Sequence, residues 1–280
     1  MSIVEFKDKF VAFVDVLGFK RLVEAAEAGS GTALEEVLGV LKDFGSPEKR
    51  IGFDKYGPTL CPQSPCVRRD LDFRVTHISD CLVVSCEISP AGVINLINHC
   101  SSVVFCLLHR GFMSRGYMTR GSIFHTDTDL VGTAYQRAYE NESKVAAFKR
   151  EADERGTPFV EIDRAVCDYI AQCEDKCVKE MFSRSVKDDG ETVALFPFQS
   201  LAHSFMIGGR APRFDADKER RSNQNVRHIL ESLKGRVMAS VDMSNPSAVK
   251  KAEHYIRALD DQLAACDRTD EFIAQLNSPL

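Results

Sequence analysis

The sequence has no run of apolar residues approaching the ~20 needed to span a membrane, and nothing at its start resembles a signal peptide. It also lacks a basic tract: 36 Lys and Arg stand against 41 Asp and Glu, for a net charge of −5. Neither a membrane nor a nucleic acid is therefore expected as a partner, although a small anionic ligand can still bind locally. The seven histidines show no paired spacing, which argues against a hydrolase built on His/Asp metal clusters. No internal repeat or low-complexity tract interrupts the chain. The ten cysteines lack zinc-site spacing: Cys61 and Cys66 share a loop and Cys173 and Cys177 are expected on one helix face, but neither pair has further partners. Cys81, Cys100, Cys106 and Cys167 lie inside apolar segments, where a reduced thiol packs as a small hydrophobe, the usage of a cytoplasmic protein. With 280 residues, 44% of them hydrophobic and 28% charged, a soluble globular chain with a substantial core is expected.

What is present is organised around Val11-Ala12-Phe13-Val14-Asp15-Val16-Leu17-Gly18-Phe19. An apolar, β-branched run ending at glycine reads as a central strand that feeds a helix. An unpaired buried carboxylate is costly, so Asp15 implies a cation, a donor network or a metal beside it. Leu17-Gly18-Phe19 supplies backbone amides at a helix start, where anions bind. Two readings of Asp15 stand at this point: ligand of a metal-bound phosphate, or N-cap of the following helix.

Phe19, Leu22, Val23 and Ala26 continue at helical spacing. A second helix starts with Thr32 as cap and Glu35 as its capping-box partner, and Leu34, Val37, Leu38 and Leu41 form its apolar face. From Ser46 to Pro65 the chain is polar and carries Pro47, Pro58, Pro62 and Pro65, a long loop that includes Tyr56. Phe73–His77 and Cys81–Cys86 read as strands around a tight hairpin, Ile78-Ser79-Asp80. There Asp80 is either a second functional carboxylate or ordinary turn chemistry. Ser89-Pro90 opens a long apolar helix ended by Gly111, and strands follow across Gly116–Phe124. Gly132 opens another helix, with Ala134, Tyr135, Ala138, Tyr139, Val145 and Ala146 as its buried face and Gln136 and Glu140 on a polar one. Pro158–Ile162 is a strand, Asp163 caps a helix, and Val193–Phe198 suggests one strand more. The order βαββαβ followed by αβ defines an α+β class, an antiparallel sheet with helices on one face. Residues 1–211 are expected to form the main domain. Residues 212–280 form an appended helical element with Ile229, Leu230 and Leu233 in one helix and Tyr255, Ile256, Leu259 and Leu263 in the next.

Phe13-Val14-Asp15-Val16-Leu17-Gly18-Phe19, with Asp80 at the hairpin of a βαββ unit, resembles the class III nucleotidyl cyclases, whose first strand reads Phe-x-Asp-[Ile/Val]-x-Gly-Phe. The resemblance implies a ferredoxin-like core. It implies that Asp15, Val16 and Asp80 hold two Mg²⁺ or Mn²⁺ ions while Leu17, Gly18 and Phe19 meet the phosphates. Hard divalent cations prefer such oxygen ligands and relieve the repulsion between neighbouring carboxylates. Two ions of this kind activate a ribose 3′-hydroxyl and neutralise a triphosphate during in-line attack on the α-phosphorus.

In that family a Gly-Asp-x-Val-Asn-x-Ala-x-Arg motif opens the helix after the sheet. Gly132-Thr133-Ala134-Tyr135-Gln136-Arg137-Ala138-Tyr139-Glu140 places Gln136 at the ribose-orienting Asn and Glu140 at the transition-state arginine. Losing that cation costs electrostatic stabilisation unless Arg137, Arg120 or Arg115 replaces it; each has an alternative role in solubility or a salt bridge. Thr76 stands at the adenine-reading Lys and Asp129 at the adenine-reading Asp. The first departs from adenine recognition, and the second can accept a hydrogen bond from uracil N3–H or the cytosine amine. Tyr56 either covers the base or is merely a surface residue. The segment Arg115–Gly121 and the Gly132-x-Ala-Tyr-x-x-Ala-Tyr pattern further resemble the bacterial pyrimidine cyclases of Pycsar antiphage systems. That likeness, over about residues 10–162, implies a head-to-tail homodimer with shared sites and UTP or CTP as substrate. It also implies a cyclic nucleotide product that activates a separate effector protein.

Overall fold

The structure, a computed structural model, describes residues 5–30, 34–43, 63–66, 71–201 and 214–277. Thr32, Tyr56, Cys61, Pro47, Pro58, Pro62 and Pro212 lie outside the described residues. The chain divides into two compact units, Met1–Pro197 and Phe198–Leu280.

In the first unit, eight strands are β1 (Lys7–Leu17), β2 (Phe73–Ile78), β3 (Cys81–Glu87), β4 (Met113–His125), β5 (Leu130–Val131), β6 (Val160–Ile162), β7 (Val186–Asp188) and β8 (Val193–Leu195). They join in the order β2-β3-β1-β4-β6-β8-β7, with β5 paired to β4. The β4-β1-β3-β2 portion is antiparallel throughout, which with the helices between its strands is the ferredoxin-like βαββαβ arrangement. β6 joins β4 in parallel, Gly116 opposite Val160, and antiparallel pairing resumes beyond it, β8 pairing with both β6 and β7. The reason for the parallel pair is the intervening helix, which carries the chain back to the starting end of β4 and makes β4-helix-β6 a crossover. β1 is central because its residues satisfy both faces: Phe10, Val11, Ala12, Phe13 and Val14 are all buried.

The helices of this unit are α1 (Phe19–Glu27), α2 (Leu34–Asp43), α3 (Pro90–His109), α4 (Thr133–Glu142), α5 (Arg164–Gln172) and α6 (Lys176–Ser185). α3 starts as its sequence dictates, the Ser89 side chain accepting the Gly92 amide at 3.0 Å. Contrary to the expectation from composition, α3 is long and apolar enough to cross a membrane, but most of it is buried against the Phe10–Cys86–Phe73 face of the sheet, where Phe73 meets His99 edge-on. α4 lies on the opposite face, with Ala134 and Ala138 buried on Val11, Phe13 and Val83. Gly132 permits this approach: a Cβ there would sit 2.5 Å from the Ser122 carbonyl oxygen.

Three helix faces differ from expectation. α4 ends at Glu142, so Val145 and Ala146 lie beyond it, and Tyr139 is exposed because the buried stripe of the helix is Ala134–Ala138–Glu142. α2 buries Val37 and Val40, whereas Leu34 and Leu38 are exposed, because the helix is rotated so that its Val37–Val40 stripe faces inward. Cys173 and Cys177 do not share a helix: α5 ends at Gln172, and Asp175 caps α6 by accepting the Cys177 amide at 2.9 Å. All nine cysteines among the described residues are free thiols.

In the second unit, α7 (Ala216–Ser240) and α8 (Pro246–Leu276) pack together through Leu230, Leu233 and Val237 and through Tyr255, Leu259 and Ile273. Asp215 and Asn245 cap them. Asn223 is fully buried, and its amide nitrogen bridges the Cys266 carbonyl at 2.8 Å and Asp270 at 2.7 Å. That bridge fixes the register of α7 against α8.

Candidate active site

The pairing register assembles the centre of the site. Asp15 lies opposite Cys81 on β3 and opposite Arg115 on β4, so the three share one row and one face of the sheet. Asp80 enters from the two-residue β2–β3 turn, in which Ser79 adopts a positive φ of 55°. Its carbonyl accepts the Val16 amide at 3.2 Å, which ties the turn to the end of β1. One ligand atom each from Asp15, Asp80 and Cys81 come together within 4.8 Å. The Cys81 thiol donates to Asp15 Oδ1 at 3.3 Å and lies 3.9 Å from Asp80 Oδ1.

Asp15 does not cap α1. The N-cap is Gly18, in the left-handed conformation at φ 86° and without a side-chain cap bond. Leu17 is half-buried, Gly18 exposed and Phe19 buried, so this stretch closes the end of β1 next to the carboxylates.

Burial pushes the Asp15 carboxyl up to about 6; Glu142 and Asp80 add to the rise, and the Cys81 bond and Arg115 oppose it. Burial, together with Asp15 and Asp80, also raises the Cys81 thiol far above its ordinary range, so it stays protonated and serves as a donor. Arg115 does not neutralise Asp15 alone: it forms an ion pair with Glu142, which is 7% exposed at the end of α4. Carboxylates outnumber the cation here. Two hard oxygen ligands, one held costly to ionise, fit a divalent cation.

Other expected site residues are placed elsewhere. Arg120 pairs with Phe10, not with the Asp15 face, and its guanidinium clasps Asp8 at 2.7 and 3.0 Å. Arg137 is exposed and donates to the Arg120 carbonyl at 3.2 Å. α4 begins beside Gly121 and ends at Arg115. Gln136 and Arg137 lie in its first half, the half nearer Gly121. Gln136 and Glu140 are exposed. Thr76 and the turn bearing Asp129 do come together: Thr76 Oγ1 lies 2.8 Å from His125 Nε2, and Arg74 on β2 pairs with Asp127 at 3.1 Å. Asp129 Oδ2 accepts the hydroxyls of Thr128 at 2.6 Å and Thr126 at 3.3 Å. Tyr56 is outside the described residues.

Sequence reasoning passed over Cys81, Glu142 and His125. Cys81 adjoins Asp80, but its place on the Asp15 face follows from the β1–β3 register, which alternation within β3 does not specify; Glu142 and His125 carry no local signal.

No protein-family model matches the chain, and no curated protein matches it. Among solved structures, it is similar to the catalytic core of a rhodopsin-guanylyl cyclase with converted specificity in complex with ATPαS. That likeness has a TM-score of 0.38 at 14% identity, covering 60% of this chain and 83% of that one. The fold and site together define an α+β protein with a ferredoxin-like core and a candidate acidic metal centre at one end of its sheet.

Proposed function

We propose that the chain is a nucleotidyl cyclase of the class III kind, a cytoplasmic uridylate cyclase. It would convert UTP to 3′,5′-cyclic UMP and pyrophosphate as a second messenger in antiphage defence. The observation that carries the reading is the convergence of Asp15 and Asp80, from β1 and the β2–β3 turn, on one point of a βαββαβ sheet. Asp15, Asp80 and the Val16 backbone would hold Mg²⁺ or Mn²⁺, two ions per site, supplying charge neutralisation at the triphosphate and acidity at the ribose 3′-hydroxyl. Leu17, Gly18 and Phe19 orient the phosphates at the start of α1. Thr76 and Asp129 face the base.

Gln136 and Arg137 are exposed on α4, where a second copy of the chain can reach them, and this supports a site shared between two copies. In a head-to-tail homodimer the carboxylates of one protomer meet Gln136, Arg137, Thr76 and Asp129 of the other. Arg120, held by Asp8, contributes only if that ion pair opens. Released product would act on a separate effector protein. A cytidylate cyclase is the nearest alternative. A second reading, a nucleotide-binding module without turnover, is favoured by the exposed Glu140 where the family keeps an arginine.

Purified protein should release pyrophosphate from UTP only when a divalent cation is supplied. Asp15→Ala should abolish that release with the circular dichroism spectrum unchanged. An undiminished rate in the variant removes the carboxylate mechanism, and tight UTP binding without product supports the silent module.

A further inference from the structure

Behind Thr76 runs a hydrogen-bond chain that reaches the interior of the sheet. His125, buried at the end of β4, places Nε2 2.8 Å from Thr76 Oγ1 and Nδ1 2.8 Å from Ser85 Oγ. Ser85 is fully buried, and its hydroxyl has no other hydrogen-bond partner among the described residues. A buried hydroxyl must donate its hydrogen, so Ser85 donates to Nδ1. Burial, reinforced by the charges of Lys9 and Arg74, pushes His125 down to about 4, so the ring is neutral and carries one proton. With Nδ1 accepting, that proton resides on Nε2 and is donated to Thr76 Oγ1. Thr76 is half-buried and its hydroxyl has no acceptor among the described residues, which leaves its own hydrogen for a ligand.

We propose that Ser85 and His125 form a relay that fixes the Thr76 hydroxyl as a donor, so that Thr76 with Asp129 selects a keto base over an amino base. The inference rests on the reading of Thr76 and Asp129 as base contacts. Asp129 begins three residues beyond Thr126, the neighbour of His125, and its carboxylate can only accept. One donor beside one acceptor complements uracil, whose N3–H adjoins the O4 carbonyl. In cytosine the same positions are reversed, an acceptor at N3 beside an amine. Guanine presents the keto pattern and adenine the amino pattern, so the relay sets keto over amino in either ring size, and room for the ring sets the rest. His125 and Ser85 are positioning residues: neither touches the base.

The test is equilibrium binding of the 3′-deoxy forms of UTP, CTP, GTP and ATP with Mn²⁺, which cannot cyclise, alongside ¹⁵N spectra of the imidazoles. The wild-type protein should show His125 protonated at Nε2 and prefer keto over amino bases by about tenfold, the scale of one hydrogen bond matched rather than opposed. Ser85→Ala frees the ring to invert and should lose most of that preference. Thr76→Val should lose it too, and Ser85→Thr, which keeps the hydroxyl, should retain it. An Nδ1-protonated ring, a wild-type preference for amino bases, or an undiminished preference in Ser85→Ala overturns the relay. A protein that prefers GTP over ATP and excludes pyrimidines leaves the relay standing and removes the uridylate reading instead.

Discussion

Replacing Asp15 by Asn in metal-free protein should stabilise the fold, and the gain should depend on pH. A carboxyl moved from 3.8 to about 6 by burial favours its protonated form in the folded state. The folded chain therefore binds more protons than the unfolded chain between those values, and stability falls as pH rises through that window. At about 1.4 kcal/mol per tenfold, the full cost above pH 6 is about 3 kcal/mol. Asp15 is only half-buried, so solvent screening reduces this to about 2 kcal/mol. Asp15→Asn should accordingly melt about 4–8 °C above wild type at pH 8 and match it near pH 4. Thermal melts in chelator, followed by circular dichroism across pH 4–8, measure the difference. Adding Mn²⁺ should narrow it, because the cation favours the ionised wild-type carboxylate and has one ligand fewer in the variant. A variant no more stable than wild type at pH 8, or a gain that does not vary with pH, refutes the account of a carboxylate held costly by its surroundings.

Arg115→Met leaves the buried Glu142 charge without its partner and should cost about 3 kcal/mol in urea unfolding, most of it restored by the double variant Arg115→Met, Glu142→Leu. Gly132→Ala should cost at least about 2 kcal/mol, since the added Cβ meets the β4 backbone at 2.5 and 2.6 Å. Gly235→Ala on α7, where an added Cβ meets no side chain or neighbouring element within 4 Å among the described residues, should raise stability by about 0.5–1 kcal/mol in the same assay. Asp163→Ala removes the α5 cap and the acceptor shared by Tyr117 at 3.2 Å and Thr119 at 3.1 Å, and should lower the melting temperature by several degrees.

The strand bearing Asp15 and the hairpin bearing Asp80 were legible because both signals are local: an apolar run stopped by glycine, and two strands separated by a turn. Helix caps at Ser89 and Asp163 were legible for the same reason. What depends on register was not. That Arg115 stands opposite Asp15, and Arg120 on the other face with Asp8, follows from the β1–β4 pairing, which periodicity does not specify. The parallel junction of β4 with β6 likewise depends on where α4 returns the chain. Leu34 and Leu38 satisfy a helical pattern as well as Val37 and Val40 do, and only the surroundings decide which stripe turns inward. Glu142 reads as a surface residue in sequence and is buried because Arg115 meets it there.

The most direct test of the central claim is incubation of the purified chain with ATP, GTP, CTP and UTP in separate reactions with Mn²⁺, the cyclic products being read by mass spectrometry. The account predicts cyclic UMP from UTP, and none from any nucleotide once Asp80 is changed to Asn. No cyclic product from any of the four, or product undiminished in Asp80→Asn, contradicts it.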